Sequence, residues 1–308
     1  MAEPFDIVVV GSINIDLVMR VTRPPRPGET VMARDLVTIP GGKGANQAVG
    51  AARLGARTAL VGRVGRDDFG TRLLNELKAQ HVDIRHVTPT DGHATGLAMI
   101  TVDEKGENAI CVAAGANHRL TPSDVDAAVE TLKRAKVCLM QLELPLATVE
   151  HAIELCRKAG VETILDPAPA PHRPPRALFG VDIICPNLLE AQTLTQESPG
   201  THAEETRALA AALAAYGAKH VVIKLGERGA VVCDGNGCEV IPPHRITPVD
   251  TTAAGDAFAA ALGYARAKGD PLIEAAHFAN AAGAAACLKF GAQPSLPTLH
   301  DVLQLRRA

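Results

Sequence analysis

Tryptophan is absent from this chain, and two Tyr and six Phe in 308 residues make a thin aromatic supply. A platform for stacking nucleic-acid bases needs several exposed rings, so a single-strand binder of that kind is excluded. Charge of one sign is also lacking: 31 Lys and Arg against 34 Asp and Glu leave a formal net charge of −3. That balance excludes a strongly basic nucleic-acid protein and a polycationic membrane-surface protein. No apolar run approaches the roughly 18 residues of a membrane span, so no membrane partner is expected. The start, MAEPFDIVVVGS, has no basic segment leading into a long apolar one, and a secretory signal is not expected there. Cysteine pairing signals are missing too. The seven cysteines are odd in number, with no CxxC and no His/Cys cluster at zinc spacing. Cys138, Cys156, Cys185 and Cys287 lie in apolar stretches and read as small buried hydrophobes, and the expected compartment is a reducing cytoplasm.

What is present is an alternation. Short β-branched runs at 7–10, 58–61, 137–141, 163–165, 183–185, 220–224 and 230–232 predict strands. Ala/Leu-rich stretches of helical period at 44–54, 67–80, 122–134, 147–159, 201–216, 255–268 and 272–289 predict helices. The order implies an α/β fold, a doubly wound and mostly parallel sheet covered by helices. No repeat and no low-complexity linker divides the chain, so residues 1–308 read as one domain. Two stretches break the pattern. Residues 15–38 hold a Pro-rich corner, RPPRPGE, and residues 96–113 read as two strands around the turn 103–106. Together they predict a small accessory β-sheet, placed as a lid with an apolar face that needs covering.

Ligands of open parallel sheets bind beyond the carboxyl ends of the strands. Polar residues delivered there are Asn14 and Asp16 in GSINID, Glu143, Asp166 in DPAPA, Asn187 and Glu190 in PNLLE, and the GERG turn after Lys224. Asn187 and Glu190 have the spacing of a helix cap and its third-position acid, a role compatible with ligand contact. Asp166 reads as a side chain bracing the turn that the two prolines impose, and Gly226 and Gly229 as residues that can simply shape a hairpin. In VDTTAAGDAF (249–258) a polar turn runs into an Ala-rich helix. The small residues Ala253, Ala254 and Gly255 let backbone N–H groups converge on an anion. Asp256 then either complements the helix dipole or accepts a proton from a substrate hydroxyl. In PGGKGANQA (40–48) the glycines admit close backbone approach, with Lys43 and Asn46 placed to hydrogen-bond a polar ligand; a plain turn into a helix is the other reading. It is not a Walker A loop, because Val37 stands at the first Gly position and Gly44 follows the lysine. Nor does VVVGSIN open a GxGxxG dinucleotide motif.

GGKGANQA and DTTAAGDAF together resemble the two signatures of the ribokinase-like (PfkB-type) carbohydrate kinases. GSINID, GRVGRDDFG (62–70), DPAPA, PNLLE and KFGAQPS (289–295) follow in that family's order, and AAGAN (113–117) is most similar to its ribose kinases. The resemblance implies transfer of phosphate from ATP, with Mg²⁺, to the 5-hydroxyl of D-ribose; deoxyribose, fructose or a nucleoside is the alternative acceptor. It implies that Asp256 is the base and that Ala253, Ala254 and Gly255 form the anion hole. Asn14, Asp16, Gly42, Lys43, Asn46 and Glu143 would line the sugar pocket. Asn187, Lys224, Gly226, Gly229, Gly255 and Asn280 would meet the nucleotide, with Glu190 toward Mg²⁺. A K⁺ activator would sit among Asp250, Thr252, Ala286, Lys289, Gly291 and Ser295. A homodimer through the lid is implied as well. The sequence departs from many ribose kinases at Lys224, where they carry a small hydroxyl residue.

Overall fold

Strand β1 (Ile7–Val10) is buried on both faces, and its side chains alternate between two cores: Ile7 and Val9 enter one, Val8 and Val10 the other. That is the position of a central strand in a sheet with helices on both sides. The computed structural model describes residues 4–104, 108–197, 203–235 and 237–307. In chain order the further strands are β2 (Asn14–Arg20), β3 (Asp35–Gly41), β4 (Thr58–Gly65), β5 (Asp83–Thr90), β6 (Gly96–Val102) and β7 (Asn108–Ala113). They are followed by β8 (Val137–Met140), β9 (Glu162–Leu165), β10 (Ile183–Ile184), β11 (His220–Lys224), β12 (Ala230–Asp234) and β13 (Gly237–Ile241). The main sheet has the order β13-β12-β11-β10-β9-β8-β1-β4-β5. Its pairings are parallel except at the β11–β12–β13 edge.

A second sheet, β3-β2-β6-β7, is the expected lid. β3 runs on to Gly41, three residues past the expected boundary, and so delivers the chain directly into the GGKG turn. The RPPRPGE corner joins β2 to β3 as expected, while Lys105 and Gly106 of the expected turn lie outside the described residues.

Several elements differ from expectation for local reasons. β5 and β13 are sheet edges, so their polar residues hide the strand pattern. Helix Leu188–Thr195 is too short to show a period. The stretch 122–134 divides at Ala128 into Pro122–Ala127 and Val129–Leu132. The last long helix stops at Ala286 rather than 289, because the Cys287 carbonyl turns to accept the N–H groups of Val249 and Asp250. Cys287 is accordingly only half-buried. The helix expected at 201–216 is described from Ala203, its first two residues lying outside the described ones. Cys233 and Cys238 are not thiols. They face each other across the β12–β13 hairpin, Cα atoms 4.1 Å apart, and form a disulfide that only the register makes visible.

The helices that carry the site pack at glycine seams. A Cβ on Gly50 would come within 2.9 Å of Ala260 Cβ, and one on Gly283 within 3.2 Å of the Ala254 carbonyl. Helices Lys43–Arg53, Ala254–Lys268 and Leu272–Ala286 therefore touch almost backbone to backbone. Among the described residues no helix is long and apolar enough to cross a membrane.

Candidate active site

The chain winds outward from β1 to β5 on one side and from β8 to β13 on the other, so the winding reverses between β1 and β8. Loops leaving neighbouring strands at such a point diverge and open a crevice. Glu143, beyond β8, accepts a hydrogen bond from Ser12 Oγ, beyond β1, at 2.6 Å, and lies 3.4 Å from both Asn14 Nδ2 and the Lys43 amide. Asn117 braces this corner. Its Oδ1 accepts from the Ile13 amide at 2.9 Å and its Nδ2 donates to Asn14 Oδ1 at 2.7 Å. Gly42, at φ 87°, takes the left-handed conformation that starts the helix bearing Lys43 and Asn46. Asp16, on β2, is buried beside them. Burial, with Glu143 and Asp256 nearby and Lys43 opposing, pushes its carboxyl up to about 7.

Asp256 sits in the first turn of helix Ala254–Lys268 and is only 6% exposed. Its Oδ2 accepts from Asn46 Nδ2 at 2.8 Å and its Oδ1 from Gln47 Nε2 at 3.2 Å. Burial raises it to about 6; Lys43 pulls the other way, Asp166 adds to the rise, and the two amides oppose it. Asn46 Oδ1 is buried without a partner, an acceptor free for a ligand hydroxyl. Asn14, Asp16, Gly42, Lys43, Asn46, Glu143 and Asp256 thus lie together in one corner.

From Lys43 and Asp256 a cleft of about 680 Å³ extends past Asp166, Lys224, Asn187 and Glu190 to Gly226, Gly229 and Asn280. Asn187 and Glu190 do form a reciprocal cap, at 2.7 and 2.8 Å, while also lining the cleft. Gly226 and Gly229, at φ 61° and 85°, shape the tight turn between β11 and β12. Asn280 Nδ2 donates to the Pro242 carbonyl at 2.8 Å, fixing the far wall. Asp166 does not brace its turn. Its carboxylate instead pairs with Lys224 Nζ at 2.7 Å and accepts from Gln47 Nε2 at 2.9 Å. Burial alone would depress Lys224, but Asp166, with Cys185 and Glu190, holds it well above the usual lysine range. Lys43 is likewise raised, the carboxylates of Asp256, Asp166 and Glu143 outweighing its burial.

The helix that carries Asp256 is capped by Ala253, left-handed at φ 60°, and the turn 253–255 lines the cleft, with the Ala254 amide 3.3 Å from the Thr251 carbonyl. Lys224 Nζ lies 3.5 Å from the position a Gly255 Cβ would take, adding a cation beside that turn. Behind the turn, Asp250 ties two loops together. It accepts from the Thr252 amide at 2.9 Å, from Thr252 Oγ1 at 2.6 Å and from the Gly291 amide at 2.8 Å. Those bonds overcome its burial and keep its carboxyl below the ordinary value. Ala286 and Ser295, which flank Gly291 in the sequence, are buried, Ser295 Oγ donating to the Ala292 carbonyl at 2.8 Å; the Lys289 ammonium lies 3.8 Å from Asp301.

Residues 5–299 match the model of the pfkB family carbohydrate kinases. The chain belongs to that family. It is similar to the ribokinase of Bacillus subtilis, 39% identical over 300 residues that cover 97% of this chain and 99% of that one. It is also similar to the deoxyribokinase of Salmonella typhi, 36% identical over 254 residues covering 82% and 83%. Among solved structures, Arabidopsis thaliana ribokinase complexed with ribose and ATP superposes with a TM-score of 0.91 at 34% identity, over 99% of each chain. In this pfkB-family kinase the residues that sequence reading missed are Ser12, Gln47, Asn117 and Gln141. All four are buried polar groups, each bonded to a partner 94 to 131 residues away, so no local pattern marks them.

Proposed function

We propose that this pfkB-family kinase transfers the γ-phosphoryl group of ATP to the 5-hydroxyl of D-ribose, as a ribokinase. One observation carries the reading. Asp256, buried and bonded by Asn46 and Gln47, stands where the polar corner of Asn14, Asp16 and Glu143 meets the cleft of about 680 Å³, in the first turn of its helix. The reaction needs little covalent help from protein: position and charge do most of the work. Asp16, Asn14 and Glu143 take the hydroxyls of the sugar, and Asp256 accepts the proton of the 5-hydroxyl as its oxygen attacks the γ-phosphorus. The bond from that phosphorus to the bridging oxygen breaks and ADP leaves. The amides of 253–255, with Lys43 and Lys224, meet the charge of the group in flight.

Mg²⁺ suits the phosphate end of the cleft, because it is commonly held by one or two carboxylates plus substrate phosphates. Glu190 fits that role: only its Oε2 is used by the cap. When bound, the ion would neutralise phosphate charge. Dependence on ATP supports a cytoplasmic location. Coupled ADP release measured on ribose, deoxyribose, fructose and nucleosides tests the acceptor; ribose should give the highest kcat/KM, and a preference for another would reassign it.

K⁺ is the expected activator behind the anion hole. Asp250 accepts three hydrogen bonds, which leaves about one of a carboxylate's roughly four acceptor positions for a weakly charged ion. Backbone carbonyls of Thr252, Ala286, Lys289 and Gly291, with Ser295 Oγ, would complete an all-oxygen site. The rate should rise severalfold when K⁺ replaces Na⁺ at constant ionic strength, and Asp250→Ala should abolish the response. Equal rates in both salts would remove K⁺ from the scheme.

The lid supports a homodimer. Val18, Ile39, Ala98 and Ile100 form a small buried cluster on the Asp16 face. On the same face Ile110 and Val112, paired with Ile100 and Ala98, stay 56% and 50% exposed. A second lid would cover them. Sedimentation at micromolar concentration should show a dimer, and Ile110→Lys should shift it to monomer; a monomeric wild type would contradict the arrangement.

A further inference from the structure

Lys224 and Asp166 form a buried ion pair in the floor of the cleft, their side chains 12% and 3% exposed. Such a pair is often no more stabilising than an uncharged pair of similar shape, because both charges lose water. Its placement, however, links the two ends of the site. Gln47 Nε2 bridges Asp166 Oδ2 and Asp256 Oδ1 at 2.9 and 3.2 Å. Gln141 Nε2 donates to Gln47 Oε1 at 2.6 Å, which orients the amide with its N–H groups toward the carboxylates. At the other end, Lys224 Nζ lies against Gly255 of the anion hole.

We propose that Asp166 and Lys224 act as one charge-balanced positioning unit, which sets the field at Asp256 through Gln47 and beside the anion hole through the ammonium. This rests on Asp256 as the base. Other groups facing Asp256 are Lys43 and Asn46 on its partner helix and Asp16 on β2, with Glu143 acting on Lys43 and Asp16. None of these changes in the variants below. Loss of Lys224 leaves the Asp166 charge uncompensated, so Asp256 ionises at higher pH. Neutralising Asp166 instead lowers that pH and strands the ammonium.

The test is kcat against pH, at saturating ribose and ATP, for Lys224→Thr, Asp166→Asn and the double variant. The rising limb should move up by about half a pH unit or more in Lys224→Thr and down by about as much in Asp166→Asn. Each single variant should lose ~10-fold or more in plateau kcat. In the double variant the limb should return close to the wild-type position, with plateau kcat no lower than that of Lys224→Thr alone, because the pair is coupled. Unmoved limbs, or losses that simply add, would overturn the unit. Should a single variant not fold, the double variant and Gln47→Met decide: the former keeps the wild-type limb, whereas the latter, stripped of the shared donor, raises it. An unmoved limb in Gln47→Met would be equally fatal. Asp256→Asn is run alongside. A surviving rate there removes the base, whereas a lost rate with unmoved limbs elsewhere removes only the coupling.

Discussion

Asp256→Asn should lower kcat by ~10²–10⁴-fold while ribose KM stays within a few-fold. The substitution keeps the shape of the side chain and removes its ability to take a proton. On the proposed reading binding is carried by other groups, Asn14, Asp16 and Glu143, so the loss belongs to the transition state. The same carboxyl sets a pH limb of known sign. With its ionisation near 6, Asp256 holds its own proton below that pH and cannot accept one from the sugar; kcat should therefore fall as pH drops through about 6 and level off above it. Asp16, near 7, adds to the limb in kcat/KM for ribose, which reports the free enzyme, while kcat isolates the filled site. Retention of more than a third of the wild-type kcat in the Asn variant would place the base elsewhere.

Removing Asp16 should act on the other parameter. In Asp16→Ala, ribose KM is expected to rise ~10²-fold with ATP KM changed less than about threefold. A site built around hydroxyls loses heavily when one partner disappears, because the hydroxyl it served stays desolvated and unpaired. Asp16 also carries a penalty in the empty enzyme, crowded by Glu143 and Asp256, and a hydroxyl donor relieves it. The discriminating measurement is the pair of KM values at saturating co-substrate. Equal increases for ribose and ATP would mean that Asp16 shapes the lid rather than reads the sugar.

Much of this site was legible because strand ends are legible. A β-branched run that stops at a polar group marks the crevice edge, and Asn14, Glu143 and Asn187 were found that way, whereas Lys224 entered only through the family resemblance. Asp256 stood out because small residues precede it and apolar ones follow. Gln47 and Gln141 were not found, since a buried amide in an apolar helix or at a strand end looks like any surface amide until its partners are known. Asp166 was misread for the same reason: its partners, Lys224 and Gln47, are 58 and 119 residues away. Local turn chemistry offered a nearer explanation that proved wrong. In the fold, interior strands such as β1 and β8 were plain, whereas the edges β5 and β13 carry the polar faces that edges need and so lose the pattern. The Cys233–Cys238 bond depends on hairpin register, which composition does not report.

The glycine seams between the three site helices bear on how the enzyme can change over evolutionary time. A methyl group would come within 2.9 Å of the Ala260 Cβ at Gly50 and within 3.2 Å of the Ala254 carbonyl at Gly283, so the neighbouring helix must give at both. Overpacking of this kind costs roughly 1–3 kcal/mol, which a protein of this size can absorb. The helices it would push apart, however, carry Asn46 and Gln47 on one side and Asp256 with the anion hole on the other. A misplacement of about 1 Å between reacting groups can cost ~10²-fold in rate. A methyl group at either position is therefore expected to lower turnover more than stability. Variation that retunes the acceptor has to enter through the lid strands and the loops, where side chains can change without shifting the frame beneath them.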